Sequence, residues 1–280
     1  MKDVTFVADF FLSAMNRGAE QNDHTVIRLL NDKGLRVKYA MCDRLRFIKK
    51  NEFYIISNFA QLGPDAIAQL VTHRNYVIYE HDFKFAPGRN PSQFLNHLLH
   101  ADAVQHRAFY EAAQAVILLT TGQEEIFRKN LPYLNYTVTG LSPYEKKDLD
   151  QIRSINVDTF RESNTGAVLD FPHFQKGTSQ SLTRCNELGI TPVMLSSRPT
   201  KIEFLQDLAV GERLVFHPQI YESCSRLSME ARMLNMEVDH NGMIGAATEP
   251  WWEQSGHDLI DLIEDMQSDV IWTAFKDYVS

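Results

Sequence analysis

Cysteine is scarce in this chain. Its 280 residues include three, Cys42, Cys185 and Cys224, with no C-x-x-C spacing among them. That excludes a disulfide framework and a zinc-finger type of site, and it fits a reducing compartment. Long apolar runs are missing as well. No window approaches the ~18 uninterrupted apolar residues of a membrane span. The stretch Met1-Lys2-Asp3-Val4 lacks the basic and apolar regions of a signal peptide, and Asp9 interrupts the first hydrophobic run. A cytoplasmic protein is expected, or one of the host cytoplasm if a phage encodes it, with any membrane contact peripheral. Glycine is thin where a dinucleotide fold requires it. Ser13-Ala14-Met15-Asn16-Arg17-Gly18 holds one glycine, so the G-x-G-x-x-G fingerprint of a dehydrogenase is absent. The chain has no internal repeat, low-complexity tract or heptad run.

What remains is ordinary globular material, 44% hydrophobic and 23% charged, with a length that suits two domains. The net charge of −8 is unevenly spread. Residues 1–145 carry 16 Lys+Arg against 15 Asp+Glu, whereas residues 146–280 carry 12 against 21. Arg28, Lys33, Arg36, Lys38, Arg44, Arg46, Lys49 and Lys50 crowd into one segment. It is either a solvated basic face, with Asp32 and Asp43 nearby, or a place where a phosphate-rich acceptor binds.

Strand and helix patterns alternate from the start. Val4–Ala8, Leu35–Tyr39, Phe53–Ile56, Tyr76–Tyr79 and Val116–Leu119 read as strands, separated by helical stretches at Glu20–Lys33, from Pro64, and over Pro91–Ala115. Continuous apolar runs between helices indicate strands buried on both faces of a parallel sheet. The rhythm restarts near residue 145, with strands at 167–169, 191–195 and 213–216 and helices at 143–156, 175–188, 200–209, 223–236 and 255–278. The expected organisation is α/β: a Rossmann-like domain over 1–145, a second over 146–254, and a C-terminal helix, 255–280, packing back toward the first. Ligands of doubly wound sheets bind beyond the carboxyl ends of the strands, so the active site is expected in the cleft between the domains. This pattern alone would equally suit an NAD enzyme or a kinase.

One segment discriminates. Leu214-Val215-Phe216 reads as a buried strand, His217-Pro218-Gln219-Ile220-Tyr221 as a loop, and a helix starts at Ser223 or Ser225. Glu222 and Glu230, with seven residues between them, put one carboxylate at that helix's start and another about two turns along it. Helix-leading amides suit a pyrophosphate. The plainer reading makes Glu222 a helix-start acid favoured by the dipole and Glu230 part of a solvated face.

In context the segment resembles the donor-binding signature of retaining GT-B glycosyltransferases, glycosyltransferase family 4 in particular, with bacteriophage members among those it resembles. Met236-Glu237-Val238 and Asn241-Gly242-Met243-Ile244-Gly245-Ala246 resemble that family's next strand and glycine loop. Arg17-Gly18-Ala19-Glu20 resembles its first phosphate-facing loop, Glu80-His81-Asp82 its histidine at the sugar end, and Phe174-Gln175-Lys176-Gly177 its Lys-Gly at the pyrophosphate. The matches spread over about residues 1–250. The resemblance implies a GT-B fold and transfer of a hexose or pentose from a nucleotide-diphosphate sugar to an acceptor hydroxyl, with retention and without a metal or other cofactor. It implies His81, Glu222 and Lys176 as catalytic residues. Donor contacts would come from Gly18, Lys176, Arg198, Glu222, Ser223, Cys224, Ser225 and Glu230. The acceptor, a glycan or a hydroxymethylated base in phage DNA, would meet Glu20, Asp82, Arg44, Arg46, Lys49 and Lys50. Phe171 stands where the family usually carries an arginine five residues before the lysine, so a second phosphate-binding charge must come from elsewhere, with Arg198 one option. A GT-B module that binds nucleotide sugar or a partner protein without catalysis is the alternative reading. The oligomeric state, donor base and sugar stay open.

Overall fold

The computed structural model describes residues 3–279. They divide into two compact units: unit 1 holds the residues up to Pro143 and those from Met266 onward, and unit 2 is Tyr144–Asp265.

Unit 1 contains β1 (Asp3–Ala8), α1 (Gly18–Asp32), β2 (Val37–Met41), β3 (Glu52–Ile56), α2 (Pro64–His73), β4 (Tyr76–Glu80), α3 (Arg107–Ala112), β5 (Val116–Leu118), α4 (Thr121–Asn130) and β6 (Tyr136–Val138). Among the described residues its sheet has six strands in the order β2-β1-β3-β4-β5-β6, every pair parallel. Every residue of β3 and β4 is buried, as continuous apolar runs require in a sheet covered on both faces. The chain moves outward from β1 to β2 and then crosses to β3 on the other side, so the strand order reverses at β1/β3. Ligands of such sheets gather beyond the carboxyl ends of the strands at that reversal.

The sequence pattern predicts a helix over 91–115, and the structure differs. Short 3-10 turns occupy Pro91–Gln93, Leu95–His97 and Ala101–Ala103, and only Arg107–Ala112 is α-helical. Asn96, His97 and His106 take left-handed backbone angles (φ 53°, 59° and 54°), which an α-helix cannot contain. Local side-chain bonds hold the turns: Asn90 accepts from Ser92 N at 3.0 Å, and Asn130 Oδ1 accepts from Leu99 N at 2.9 Å.

Unit 2 contains α5 (Lys146–Arg153), α6 (Val157–Phe160), β7 (Thr165–Leu169), α7 (Thr178–Leu188), β8 (Thr191–Leu195), α8 (Lys201–Val210), β9 (Arg213–Phe216), α9 (Arg226–Met233) and β10 (Glu237–His240). Its parallel sheet runs β10-β9-β7-β8, and the order reverses at β7/β9. Val168, Cys185 and Val215 form a buried cluster under that point. Gly166 belongs there because a Cβ would stand 2.9 Å from both Ile190 and Val215.

The final helix, α10 (Gly256–Val279), contributes to both units. In unit 2 it buries Leu259, Ile260 and Ile263, and Glu264 pairs with Lys146 at 2.8 Å and Arg153 at 2.7 Å. In unit 1 it buries Ile271, Ala274 and Phe275, and the Phe275 ring meets Tyr79 edge-on at 5.9 Å. Among the described residues no helix is long and apolar enough to cross a membrane.

Candidate functional site

In unit 2 the loops that leave β7 and β9 carry the informative residues, and both open from the strand reversal. After β7 the chain makes a 3-10 turn, Phe174–Lys176, and Gly177 then caps α7 with φ +67°. A Cβ at Gly177 would lie 1.8 Å from the His217 carbonyl oxygen. Only glycine permits both the left-handed angle and that approach. The two loops are therefore in backbone contact, and Gln219 N donates to Gln175 O at 2.9 Å.

That contact brings Lys176 to Glu222: Nζ lies 2.8 Å from Oε1, with the lysine side chain 30% exposed and the glutamate 13%. Glu222 is fixed by its backbone, where its N–H donates to Met243 O (2.9 Å) and its carbonyl accepts from Gly245 N (2.8 Å). The carboxylate thus stands on a short parallel bridge rather than on a loose loop. Ser223, Cys224 and Ser225 follow, all buried, and Ser225 Oγ caps α9 by accepting from Ser228 N at 3.4 Å.

Glu230 lies on α9 and is almost fully buried. It faces Lys201 Nζ at 2.5 Å and Arg226 Nε at 3.9 Å, and the Arg226 guanidinium stacks 3.8 Å above the Tyr144 ring. Lys201 opens α8 directly after Thr200, whose capping box with Glu203 fixes that turn. Arg198 is not part of this group: it is an exposed residue in an ion pair with Asp207. The cations beside Glu230 are Lys201 and Arg226, neither of which the sequence pattern singled out. The one advance signal was Lys201's place at the first position of a capped helix.

A neighbouring hollow of about 400 Å³ is lined by α7 and the end of β10, with Arg184, His217, Asp239 and His240 around it. Asp239 accepts from Arg184 Nε at 3.0 Å and lies 2.7 Å from His217 Nε2. Burial works against its charge, but these two bonds outweigh it and hold the carboxyl below its usual range. The network clamps His217, and with it the loop that leads to Glu222.

In unit 1, His81 follows β4 and Ser57 follows β3, both at carboxyl ends near the reversal. His81 Nε2 lies 2.7 Å from Asp23 Oδ1 and 3.0 Å from Ser57 Oγ, and Ser57 Oγ donates to both Asp23 oxygens at 2.7 and 2.9 Å. Ser57 gives its proton to the carboxylate, so Nε2 must donate to Asp23. Nδ1 is left buried, with no hydrogen-bond partner among the described residues. Asp23 and Ser57 were not anticipated; Asp23 is simply three residues past Glu20 on the inner face of α1.

Glu20 is buried on the same helix, its Oε2 without a hydrogen-bond partner among the described residues, and Gly18 is the exposed first residue of α1. Burial pushes the Glu20 carboxyl up, offset in part by its own backbone N–H, raised further by Asp23, and lowered by His81 and Arg17. Asp82 is in a different state. Burial opposes its charge, but Lys84 Nζ at 2.8 Å and Arg89 at 3.2 Å prevail and hold it as an anion. Lys84 also contacts Glu80 at 2.5 Å, and Tyr110 donates to the other Glu80 oxygen at 2.5 Å. Burial raises Glu80 to about 7, against the pull of Lys84. Of the two acids expected on the acceptor side, burial raises the proton affinity of Glu20, whereas Asp82 is held as an anion. Arg44, Arg46, Lys49 and Lys50 are exposed along the loop between β2 and β3. Among the described residues no cluster of three or more His, Cys, Asp or Glu has metal-holding geometry.

No protein-family model matches the chain. No curated protein matches it either. Solved structures do. A starch synthase IV catalytic domain from Arabidopsis thaliana, bound to ADP and acarbose, aligns over 99% of this chain and 98% of its own, with TM-score 0.54 and 9% identity. An alpha-glucosyltransferase in complex with UDP and a 13-mer DNA containing an HMU base aligns over 99% and 98%, with TM-score 0.51 and 9% identity. An alpha-glucosyltransferase with UDP aligns over 98% and 96%, with TM-score 0.50 and 10% identity. The chain has the α/β GT-B fold, with parallel sheets of six and four strands among its described residues.

Proposed function

We propose that the protein is a glycosyltransferase that moves a sugar from a nucleotide-diphosphate sugar to an acceptor hydroxyl, a retaining, metal-independent enzyme of the family 4 type. The observation that carries this reading is the placement of Lys176 against Glu222 where unit 2's strand order reverses. Transfer builds negative charge on the β-phosphate of the departing nucleoside diphosphate. Lys176 Nζ and the amides leading α9 are the groups assigned to that charge, so the leaving group is stabilised without a metal ion. Glu222 accepts hydrogen bonds from the sugar hydroxyls, and Glu230, set beside Lys201 and Arg226, from the ribose diol. No covalent intermediate on Glu222 is invoked.

On the acceptor side, His81 is assigned a hydrogen bond to the sugar or the acceptor, with Asp23 and Ser57 holding its ring from the Nε2 side. Glu20 takes the proton of the attacking hydroxyl, a step worth about 10²–10⁴ in rate for a well-placed base. The acceptor is a glycan or a hydroxymethylated DNA base. Two of the three fold relatives described are alpha-glucosyltransferases, and one of those was solved with DNA.

Calorimetric titration with UDP-, GDP- and ADP-glucose, followed by a nucleotide-release assay, tests the reading. One donor should bind and be hydrolysed slowly without acceptor. Binding without turnover would favour a non-catalytic GT-B module, and no binding of any donor would end the reading.

A further inference from the structure

The loop joining β2 to β3 has an aromatic tip that nothing in unit 1 covers. Phe47 is 83% exposed. It sits in Arg44-Leu45-Arg46-Phe47-Ile48-Lys49-Lys50, where all four cations are exposed and Asp43 is the one adjacent acid within the loop. Among the described residues Arg44, Arg46 and Lys50 have no carboxylate within ion-pair distance, while Lys49 reaches Glu52 at 3.4 Å. An exposed phenylalanine on a floppy loop would mean little, but this loop is held by its backbone. Leu45 N donates to Met41 O at 3.1 Å, Ile48 N to Gln69 Oε1 at 3.1 Å and Lys49 N to Tyr54 Oη at 2.9 Å. Gln69 Nε2 returns a bond to Arg46 O at 3.2 Å, and Ile48 is buried. The residues on either side of Phe47 are tied down, which fixes the backbone that carries its ring. An open hollow of about 630 Å³ lies beside it, walled by Leu45, Arg46 and Phe47 and by the first turns of α2.

We infer that this strip is a docking surface for duplex DNA, with Phe47 as a wedge that enters the base stack while Arg44, Arg46, Lys49 and Lys50 hold the flanking phosphates. The inference rests on the glycosyltransferase reading only in that it selects DNA as the acceptor class. Two pairs of cations bracketing a single apolar point match a polyanion whose interior is apolar. Seven residues reach at most about 20 Å, which covers several phosphates of a strand. Apolar side chains that enter base steps act in this way, part-unstacking the duplex and exposing a base. A bilayer would demand a continuous apolar face rather than one ring between cations.

The test uses the full chain and a fluorescein-labelled 20-base-pair duplex with 2-aminopurine at its centre, titrated from 50 to 300 mM NaCl. The wild type should bind with a steep salt slope and raise the 2-aminopurine emission. Phe47→Ala should weaken binding roughly tenfold at each salt, the scale of one base–aromatic stack, and abolish the emission rise while leaving the slope unchanged. In Phe47→Trp the indole fluorescence should be quenched by the duplex. The double variant Arg46→Glu, Lys49→Glu should flatten the slope by about two units, roughly one per lost phosphate contact. Unchanged binding and emission in Phe47→Ala, or salt-insensitive binding, would overturn the wedge. So would Phe47-dependent binding to phosphatidylserine/phosphatidylcholine vesicles in place of DNA. Donor titration is read separately: a chain that engages duplex through Phe47 but binds no nucleotide sugar would remove the transferase reading and leave this one standing.

Discussion

Lys176 and Glu222 are 46 residues apart in sequence and 2.8 Å apart in space. They meet because a left-handed glycine lets the turn after β7 touch the backbone of the loop after β9. The pair is already ionic before any donor arrives, so the lysine is held over the position proposed for the diphosphate. Replacing Lys176 by Met should cut turnover by about 10²–10³, the usual effect of removing one group that stabilises developing charge. Glu222→Gln should spare UDP affinity and weaken binding of the intact sugar nucleotide. Steady-state kinetics with UDP competition separates the two effects.

The contact at Gly177 has its own consequence. Gly177→Ala must place a methyl group where the His217 carbonyl now is, on a backbone angle that favours glycine. Unit 2 should lose about 2 kcal/mol or more, and donor binding should fail with it. Thermal unfolding with and without UDP reads both.

Glu230 is an almost fully buried carboxylate between two cations. Lys201→Met leaves it with Arg226 alone and should cost about 1–3 kcal/mol of stability. Lys201→Met combined with Glu230→Gln should recover part of that loss, because the buried acid that lost its lysine is then neutral while Arg226 keeps Asp148 at 3.8 Å. A double-mutant cycle by urea denaturation measures the coupling.

Glu80 gives a pH signature. Its folded-state value, raised to about 7 chiefly by burial, lies above the ordinary carboxylate value of 4.5. The folded form therefore binds the proton more tightly than the unfolded chain does. Glu80's contribution is fully present below pH 4.5 and is lost as pH rises through 7. Stability should fall across that window in the wild type and fall less in Glu80→Gln, as followed by denaturant midpoints at fixed ionic strength.

The paired α/β domains were legible because apolar runs such as Tyr76–Tyr79 read as strands buried on both faces and because the rhythm restarts near residue 145, whereas the GT-B reading came from the resemblance carried by Lys176, Glu222 and Glu230. The helix expected over 91–115 failed for a local reason. Its apolar residues have helical spacing, but Asn96, His97 and His106 adopt left-handed angles that side-chain bonds from Asn90 and Asn130 support. Periodicity carries no trace of such bonds. The meeting of Lys176 with Glu222 followed from a signature spread over two loops. The partners Asp23, Ser57, Lys201 and Arg226 did not, since each is an ordinary residue until the fold sets it against its charge. Arg198, suggested as a second cation by its position, is paired with Asp207, whose identity as a neighbour depends on α8 folding back.

The most direct test is phosphorus-31 NMR of the bound nucleoside diphosphate, UDP, GDP or ADP, whichever the donor titration selects. If Lys176 grips the terminal phosphate, the β-phosphorus resonance should shift on binding to the wild type and move most of the way back in Lys176→Met, with the α-phosphorus little changed. An identical β-phosphorus shift in both proteins, or no complex with the wild type, would contradict the account.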